Sequence, residues 1–276
     1  MRLVPDWVVY VLALSTVVFA LFSAAPQHDA PRTLPEAIDG EGATLPPPSA
    51  FDERVLVRVT KPKTGIGTAF AINHEGFWLT ARHVVDGCDD IALLTAPHQY
   101  IRANRVRVSD HSDLALLETD TASHPVILDV ETDLRIGTYG YHVGYPQGRP
   151  GEAVSRLQSR INLVSSGTRE GTESVLAWAE AGRTRGLSGS LGGLSGGPVY
   201  GADGRVRGVI VAESPRRGRI YSASPESVAQ FLGELDVDLA GAPPRAFTPS
   251  SYGAEADFAR RKLQVVKLAC NVGDAG

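Results

Sequence analysis

Short apolar runs broken by Gly, Pro and Asp recur along this chain, and helix-period patterning is scarce. "VLVRV" (55–59), "GTAFAI" (67–72), "DLALLE" (113–118), "VILDV" (126–130) and "VRGVIVAE" (206–213) are examples. Runs of this length suit strands, and turn residues between them predict an all-β sandwich or barrel. No repeat is regular enough for a propeller or solenoid. At 276 residues, 43% of them hydrophobic, the chain suits one sizeable domain with extra segments, or at most two small ones. A net charge of −4 gives no general reason to expect a nucleic-acid partner. The local arginines in "RTRG" (183–186) and "PRRGR" (215–219) read as solvated turns.

The first 50 residues differ from the rest. "WVVYVLALSTVVFALFSAA" (7–25) is uncharged over 19 residues, about the length a helix needs to cross a bilayer. A signal peptide normally has a shorter apolar core and a small-x-small cleavage site. Ser23-Ala24-Ala25 offers such a site, but Pro26 follows it and Asp6 weakens the basic flank. Residues 1–25 are therefore expected to be a retained signal-anchor or transmembrane helix, with cleavage and secretion as the alternative. Arg2 before the span and "DGE" (39–41) after it leave the main domain outside, by the positive-inside rule. Residues 26–50 contain six prolines and few bulky apolar side chains, which predicts a disordered, extended linker. The folded part is expected to begin near Phe51.

The stretch "GGLSGGPVYGADG" (192–204) surrounds Ser195 with glycines. Such a run is either a flexible loop or a nucleophile in a tight turn with bare N–H groups beside it. Serine becomes nucleophilic when a base, most often an oriented histidine, takes its proton. Gly193-Leu194-Ser195-Gly196-Gly197 fits the G-x-S-x-G elbow, whose chain order is Ser, acid, His. All seven histidines (28, 74, 83, 98, 111, 124 and 142) precede Ser195, so that order is impossible. The order Asp-His-Ser needs an acid before the histidine. Before His83 the only aspartates are Asp6, Asp29, Asp39 and Asp52, in the anchor, the spacer or the domain edge. A later histidine such as His111 would admit more acids, but nothing marks it as a base. The order His-Asp-Ser remains: His83 after strand-like "FWLTA", Asp113 at the start of "DLALLE", and Ser195. Asp110 is a nearby rival acid; His111 and His142 read as structural or solvated.

These stretches, "TARHVV", "DLALL" and "GLSGGP", resemble the trypsin-like (chymotrypsin-fold) serine proteases. The likeness is greatest to the bacterial branch that includes the HtrA-type enzymes, and "VGYPQG" (143–148) is similar to that branch's loop before the second barrel. The resemblance covers roughly residues 52–235. It implies two antiparallel six-stranded β-barrels with a cleft between them and a short C-terminal helix, within a protease domain over 51–240. It also implies His83 as base, Asp113 as its orienting acid and Ser195 as nucleophile. The N–H groups of Gly193 and Ser195 would form the oxyanion hole, where glycine lets the backbone approach the substrate. The implied activity is that of a serine endopeptidase on a protein or peptide substrate, in a bacterial inner membrane with the domain in the periplasm. No cofactor is implied, and no His/Cys/Asp cluster has metal-ligand spacing.

Leu194 stands where the family usually has Asp or Asn, which excludes activation by pairing that residue with a new N-terminus. It leaves open how the oxyanion loop is held, and with it a latent or inactive protease-like binding module as the alternative function. Gly189, six residues before the serine, and Tyr221 in "GRIYSASP" are candidate walls of the pocket for the residue before the cut. With no carboxylate at Gly189, a small apolar residue is expected there. Ser224-Pro225 predicts the N-terminus of a helix over "ESVAQFLGEL". Residues 241–276 are a C-terminal extension too short for the PDZ domain of HtrA-type enzymes: a Pro-marked linker, a short helix and a strand. Outside the cytoplasm the two cysteines, Cys88 and Cys270, invite a disulfide, two separate thiols being the alternative. The oligomeric state is open.

Overall fold

The computed structural model describes residue 40 and residues 42–59, 63–120 and 124–273. The predicted anchor at 1–25 lies outside the described residues. Among the described residues no helix is long and apolar enough to cross a membrane.

The strands are β1 (Arg54–Val59), β2 (Gly65–Ala71), β3 (Phe77–Ala81), β4 (Asp90–Ala96), β5 (Gln99–Arg102), β6 (Arg105–Val108), β7 (Leu114–Glu118) and β8 (Tyr139–Gly144). They continue with β9 (Gly151–Gly167), β10 (Gly171–Arg183), β11 (Pro198–Tyr200), β12 (Val206–Ser214), β13 (Arg219–Ala223) and β14 (Val265–Asn271). Among the described residues three α-helices punctuate them: α1 (Arg82–Val85), α2 (Pro225–Leu235) and α3 (Tyr252–Arg261).

The chain is mostly β, as expected, and its strands form two sheets that each hold one strand more than the six expected. Each sheet has seven strands. The first runs β5-β4-β14-β2-β3-β7-β6 and is antiparallel throughout. In the second, β9, β10, β13, β12, β11 and β8 form a closed ring, because β8 pairs back onto β9. The remaining strand, β1, lies outside this ring and runs parallel to β9. Each added strand comes from a chain end, β1 before the first sheet and β14 after α3, where local pattern says nothing about pairing.

Continuous apolar runs arise because both faces of a strand are buried, at alternate residues. In β7, Leu114 and Leu116 join a large core shared with the second sheet, while Ala115 and Leu117 face a separate cluster with Trp78, Leu93 and Leu268. The interior of the second sheet is a third cluster, with Leu157, Leu176, Trp178, Ile210 and Ile220.

Residues 42–50, expected to be spacer, are bound to the second sheet. Leu45 is buried there, its N–H donating to Leu134 O at 2.8 Å. Arg160 Nε and Asn162 Nδ2 donate to the carbonyls of Pro46 and Ser49, each at 2.8 Å. A single leucine and the carbonyls of a Pro-rich segment are enough to dock it along a sheet that supplies the donors.

The helix α2 starts as predicted, with Ser224 Oγ accepting from Ser227 N–H and Pro225 in the first turn. The extension after residue 240 is part of the core: Phe247, Ala256, Ala259 and Val265 are buried in the shared cluster. Arg260 fixes α3 in place, donating to Gly144 O (3.3 Å), Gly151 O (3.2 Å) and Glu152 Oε2 (2.7 Å). Beyond it, β14 lies between β2 and β4, and Cys270 is bonded to Cys88.

His142 is fully buried, with Nε2 2.6 Å from Ser155 Oγ and its ring edge-on to Trp178. Burial drives its pKa from 6.5 down to about 3. The unfolded chain therefore takes up this proton first as pH falls, so the stability is complete above about 6.5 and declines from there toward 3. Between pH 7 and 5 the protein is expected to lose on the order of 2 kcal/mol more than a His142→Gln variant. Thermal melts of both at the two pH values check this; equal losses would remove His142 as the cause.

Candidate active site

The pairing of β3 with β7 sets Ala81 opposite Leu114. His83 lies just beyond the end of β3 and Asp113 just before β7, so register alone brings them to the same edge of the first sheet. Asp113 then accepts twice: Oδ1 from His83 N–H at 2.9 Å, and Oδ2 from His83 Nδ1 at 2.5 Å. Its carbonyl also accepts from Arg82 N–H at 3.1 Å. A proton on Nδ1 directed at Asp113 leaves Nε2 as the free lone pair, the tautomer a general base needs.

Removal from water works against the imidazolium, but the charge and hydrogen bond of Asp113 outweigh it, and the His83 pKa lies above its ordinary value. For Asp113 burial pushes upward, and His83, through charge and both hydrogen bonds, pulls the carboxyl below its usual range. A reaction with His83 as base requires neutral imidazole. Its rate is therefore expected to rise with pH through a midpoint above about 6.5. A pH profile of kcat/KM with a midpoint well below that would contradict the pairing.

Ser195 approaches from the second sheet. Its carbonyl accepts from Thr68 N–H in β2 at 2.9 Å, and Gly196 N–H donates to Ile210 O in β12 at 2.7 Å. Gly196 has a φ of +83°, and a Cβ there would meet Thr68 O at 2.2 Å and Ala81 N at 2.9 Å. The serine turn is thus pressed against the end of β3, two residues before His83, and only glycine permits that approach. Among the described residues no hydrogen bond joins Ser195 Oγ to His83.

Between Leu191 and Gly197 every N–H has an acceptor except two. Leu191 donates to Glu213, Gly192 to Ser190 Oγ, Leu194 to Leu191 O, Gly196 to Ile210 O and Gly197 to Leu194 O. The N–H groups of Gly193 and Ser195 have no acceptor among the described residues. Two unpaired donors on either side of Leu194 in the serine turn are candidates to hold an oxyanion.

Leu194 anchors this turn by burial. It is 1% exposed and packs with Leu191, Val199 and Ile210. Leu194→Ala is expected to cost about 2–5 kcal/mol, which lowers the melting temperature by on the order of 10 °C for a domain of this size. An unchanged melting temperature would show that the socket contributes nothing.

The flanks of the turn are held by residues that the sequence did not single out. Thr68 Oγ1 donates to Gly193 O at 2.8 Å and accepts from Tyr145 N–H at 3.1 Å. Gln147, at a φ of 53°, donates three times to the loop before Gly193. Its N–H goes to Gly192 O at 2.6 Å, and its side-chain amide to the carbonyls of Ser188 and Ser190, each at 2.8 Å. Glu213 receives Ser190 Oγ as well as Leu191 N–H. The sequence signal for Gln147 is "VGYPQG" (143–148), a motif that by itself assigns the residue no role.

The profile described as the trypsin-like peptidase domain matches residues 67–209, a stretch that includes His83, Asp113 and Ser195. The chain belongs to the trypsin-like peptidase family. This peptidase-family chain is 28% identical over 236 residues to a "probable periplasmic serine protease do/HhoA-like" of Haemophilus influenzae, covering 76% of the chain and 48% of that relative. It is 27% identical over 195 residues to the "periplasmic pH-dependent serine endoprotease DegQ" of Escherichia coli, covering 68% and 41%. It thus spans less than half the length of these relatives. In fold it is similar to the Rv3671c protease from M. tuberculosis in its active form, with a TM-score of 0.51 and 17% identity over 74% of this chain and 97% of that one. The inactive form gives a TM-score of 0.50 and 23% identity over 64% and 91%.

Of the other candidate residues in this trypsin-like domain, Gly189 is exposed at a φ of +73°, its carbonyl accepting from Arg183 Nη1 at 2.9 Å. Tyr221 is buried in the shared core with Val209 and Val211, whereas Leu194 and Ile220 pack in the interior cluster of the second sheet. The structure links neither Gly189 nor Tyr221 to the serine turn by a hydrogen bond. Among the described residues no group of three or more His, Cys, Asp or Glu side chains is placed to hold a metal.

Proposed function

We propose that this chain is an exported serine endopeptidase that cleaves peptide bonds through an acyl-enzyme, with His83, Asp113 and Ser195 as its triad. Ser195 Oγ attacks the scissile carbonyl while His83 Nε2 takes the hydroxyl proton. The N–H groups of Gly193 and Ser195 receive the oxyanion of the tetrahedral intermediate. That intermediate breaks its C–N bond as His83 returns the proton to the leaving amine, and an acyl ester remains on Ser195. Water then attacks the ester, with His83 again as base, to release the carboxylic acid and restore the serine. The observation that carries this reading is the pair of unpaired N–H donors beside Ser195, on a turn packed against the strand that delivers His83.

Export is supported by the Cys88–Cys270 disulfide, since such bonds persist outside the reducing cytoplasm, and by the names of the periplasmic relatives. The apolar stretch 7–25 serves in this reading as the inner-membrane tether, with the two-sheet domain on the periplasmic side. The mass of the mature protein tests the tether, because loss of about 25 residues would mean cleavage and secretion. In this reading the substrate is a protein or peptide, taken where the Ser195 turn of the second sheet meets the edge of the first that carries His83 and Asp113.

Labelling of the full-length, detergent-solubilised protein with a fluorophosphonate probe tests the activity. Ser195→Ala and His83→Ala are expected to abolish labelling. Folded wild-type protein that does not label would refute the peptidase reading and favour a protease-like binding module.

A further inference from the structure

Asp113 is gripped from a second direction, by residues that the triad does not use. Its backbone N–H donates to Glu173 Oε2 at 2.8 Å. Arg169 Nη1 lies 3.6 Å from Asp113 Oδ1, and Arg169 Nη2 donates to Ser112 O at 3.2 Å. Arg169 is in the turn between β9 and β10 and Glu173 is near the start of β10, so both belong to the second sheet. Asp113 enters β7 of the first.

We propose that Arg169 and Glu173 are positioning residues that hold Asp113 from the second sheet, Glu173 as acceptor for its N–H and Arg169 as the cation beside its carboxylate. The proposal rests on the peptidase reading. It also means that the orientation of His83 depends on how the β9–β10 hairpin seats against the first sheet.

The charges are consistent with this arrangement. Burial, with the Asp113 charge beside it, pushes Glu173 up to about 8, so near neutral pH it is largely the neutral acid and offers an oxygen rather than a second negative charge. Its other oxygen, Oε1, is buried without a hydrogen-bond partner, so the side chain is held there by the Asp113 contact and its packing. One carboxylate, Asp113, then balances one guanidinium, Arg169. The groups around His83 are Asp113, Arg169 and Glu173, together with Arg82 and Asp86 on its own helix, which pair with each other at 3.7 Å. Of these, Arg169 opposes the imidazolium.

The test combines an imidazole titration of His83 by NMR with the second-order rate of fluorophosphonate labelling, both on the full chain. Arg169→Gln removes the opposing cation and is expected to raise the His83 midpoint by roughly half a unit or more, whereas Arg169→Lys keeps the charge and holds the midpoint near wild type. Glu173→Ala leaves the Asp113 N–H without its acceptor and is expected to slow labelling about tenfold. Glu173→Gln keeps an oxygen at that position and is expected to rescue most of this loss. An unmoved His83 midpoint in Arg169→Gln, or a Gln variant as slow as the Ala variant, would overturn the proposal. If wild-type protein fails to label, the peptidase reading falls, and the imidazole titration still decides the Asp113 clamp.

Discussion

Asparagine at position 113 is expected to slow the Ser195 reaction about ten-thousand-fold near neutral pH, with little change in folding. Asp113 accepts from both His83 N–H and His83 Nδ1, and an amide has one oxygen for these two donors. If the oxygen stays on the backbone N–H, the NH2 group faces Nδ1 and turns it into an acceptor. The proton then sits on Nε2, the atom that must take the serine proton. The size of the protein and its hydrogen-bonding pattern elsewhere are untouched, so thermal melts should agree within a few degrees. The labelling rate per folded molecule is the measurement. A drop of less than about tenfold would remove Asp113 as the orienting acid. Its rival Asp110, three residues earlier in the same turn, is exposed.

Ending the chain at Arg261 is expected to prevent folding altogether. The segment removed contains β14, whose Val265, Val266 and Leu268 are fully buried, and whose two edges pair with β2 and β4. Each buried aliphatic side chain lost is worth about 2–5 kcal/mol. Three of them rival the whole stability of a domain, about 5–15 kcal/mol. The cut also leaves two strand edges in mid-sheet without partners, a template for aggregation. Far-UV circular dichroism and gel filtration of the shortened protein check the expectation. A monomer with the native spectrum and a cooperative melt would show that β14 is an ornament rather than part of the sheet.

The candidate site was legible where its chemistry is local. His83 could be singled out because it follows a strand that ends in "LTA", Asp113 because it opens an apolar strand, and Ser195 because glycines surround it. Their order along the chain by itself excludes the Ser-acid-His arrangement. The α2 N-terminus was equally legible, since a Ser cap and a Pro in the first turn act within a few residues of each other. The supports of the site were not. Gln147 reaches the serine loop across more than forty residues and Glu173 reaches Asp113 across sixty. An isolated Gln or Glu in a strand-rich sequence carries no mark of such a partner.

Strand arrangement shows the same division. Period-2 burial and turn residues are properties of neighbouring positions, so the sequence by itself determined that the chain is β-rich and which stretches form many of its strands. It also determined the order of the candidate nucleophile, base and acid. Only the tertiary structure decided that β14 is inserted between β2 and β4, that β1 runs parallel to β9, and that residues 42–50 lie on the second sheet. It likewise decided that Leu194 fills an apolar socket and that the Gly193 and Ser195 N–H groups have no acceptor among the described residues. The physical reason is that strand pairing and side-chain sockets join residues far apart in sequence, and which partners meet depends on the packing of the whole core rather than on any short stretch of chain.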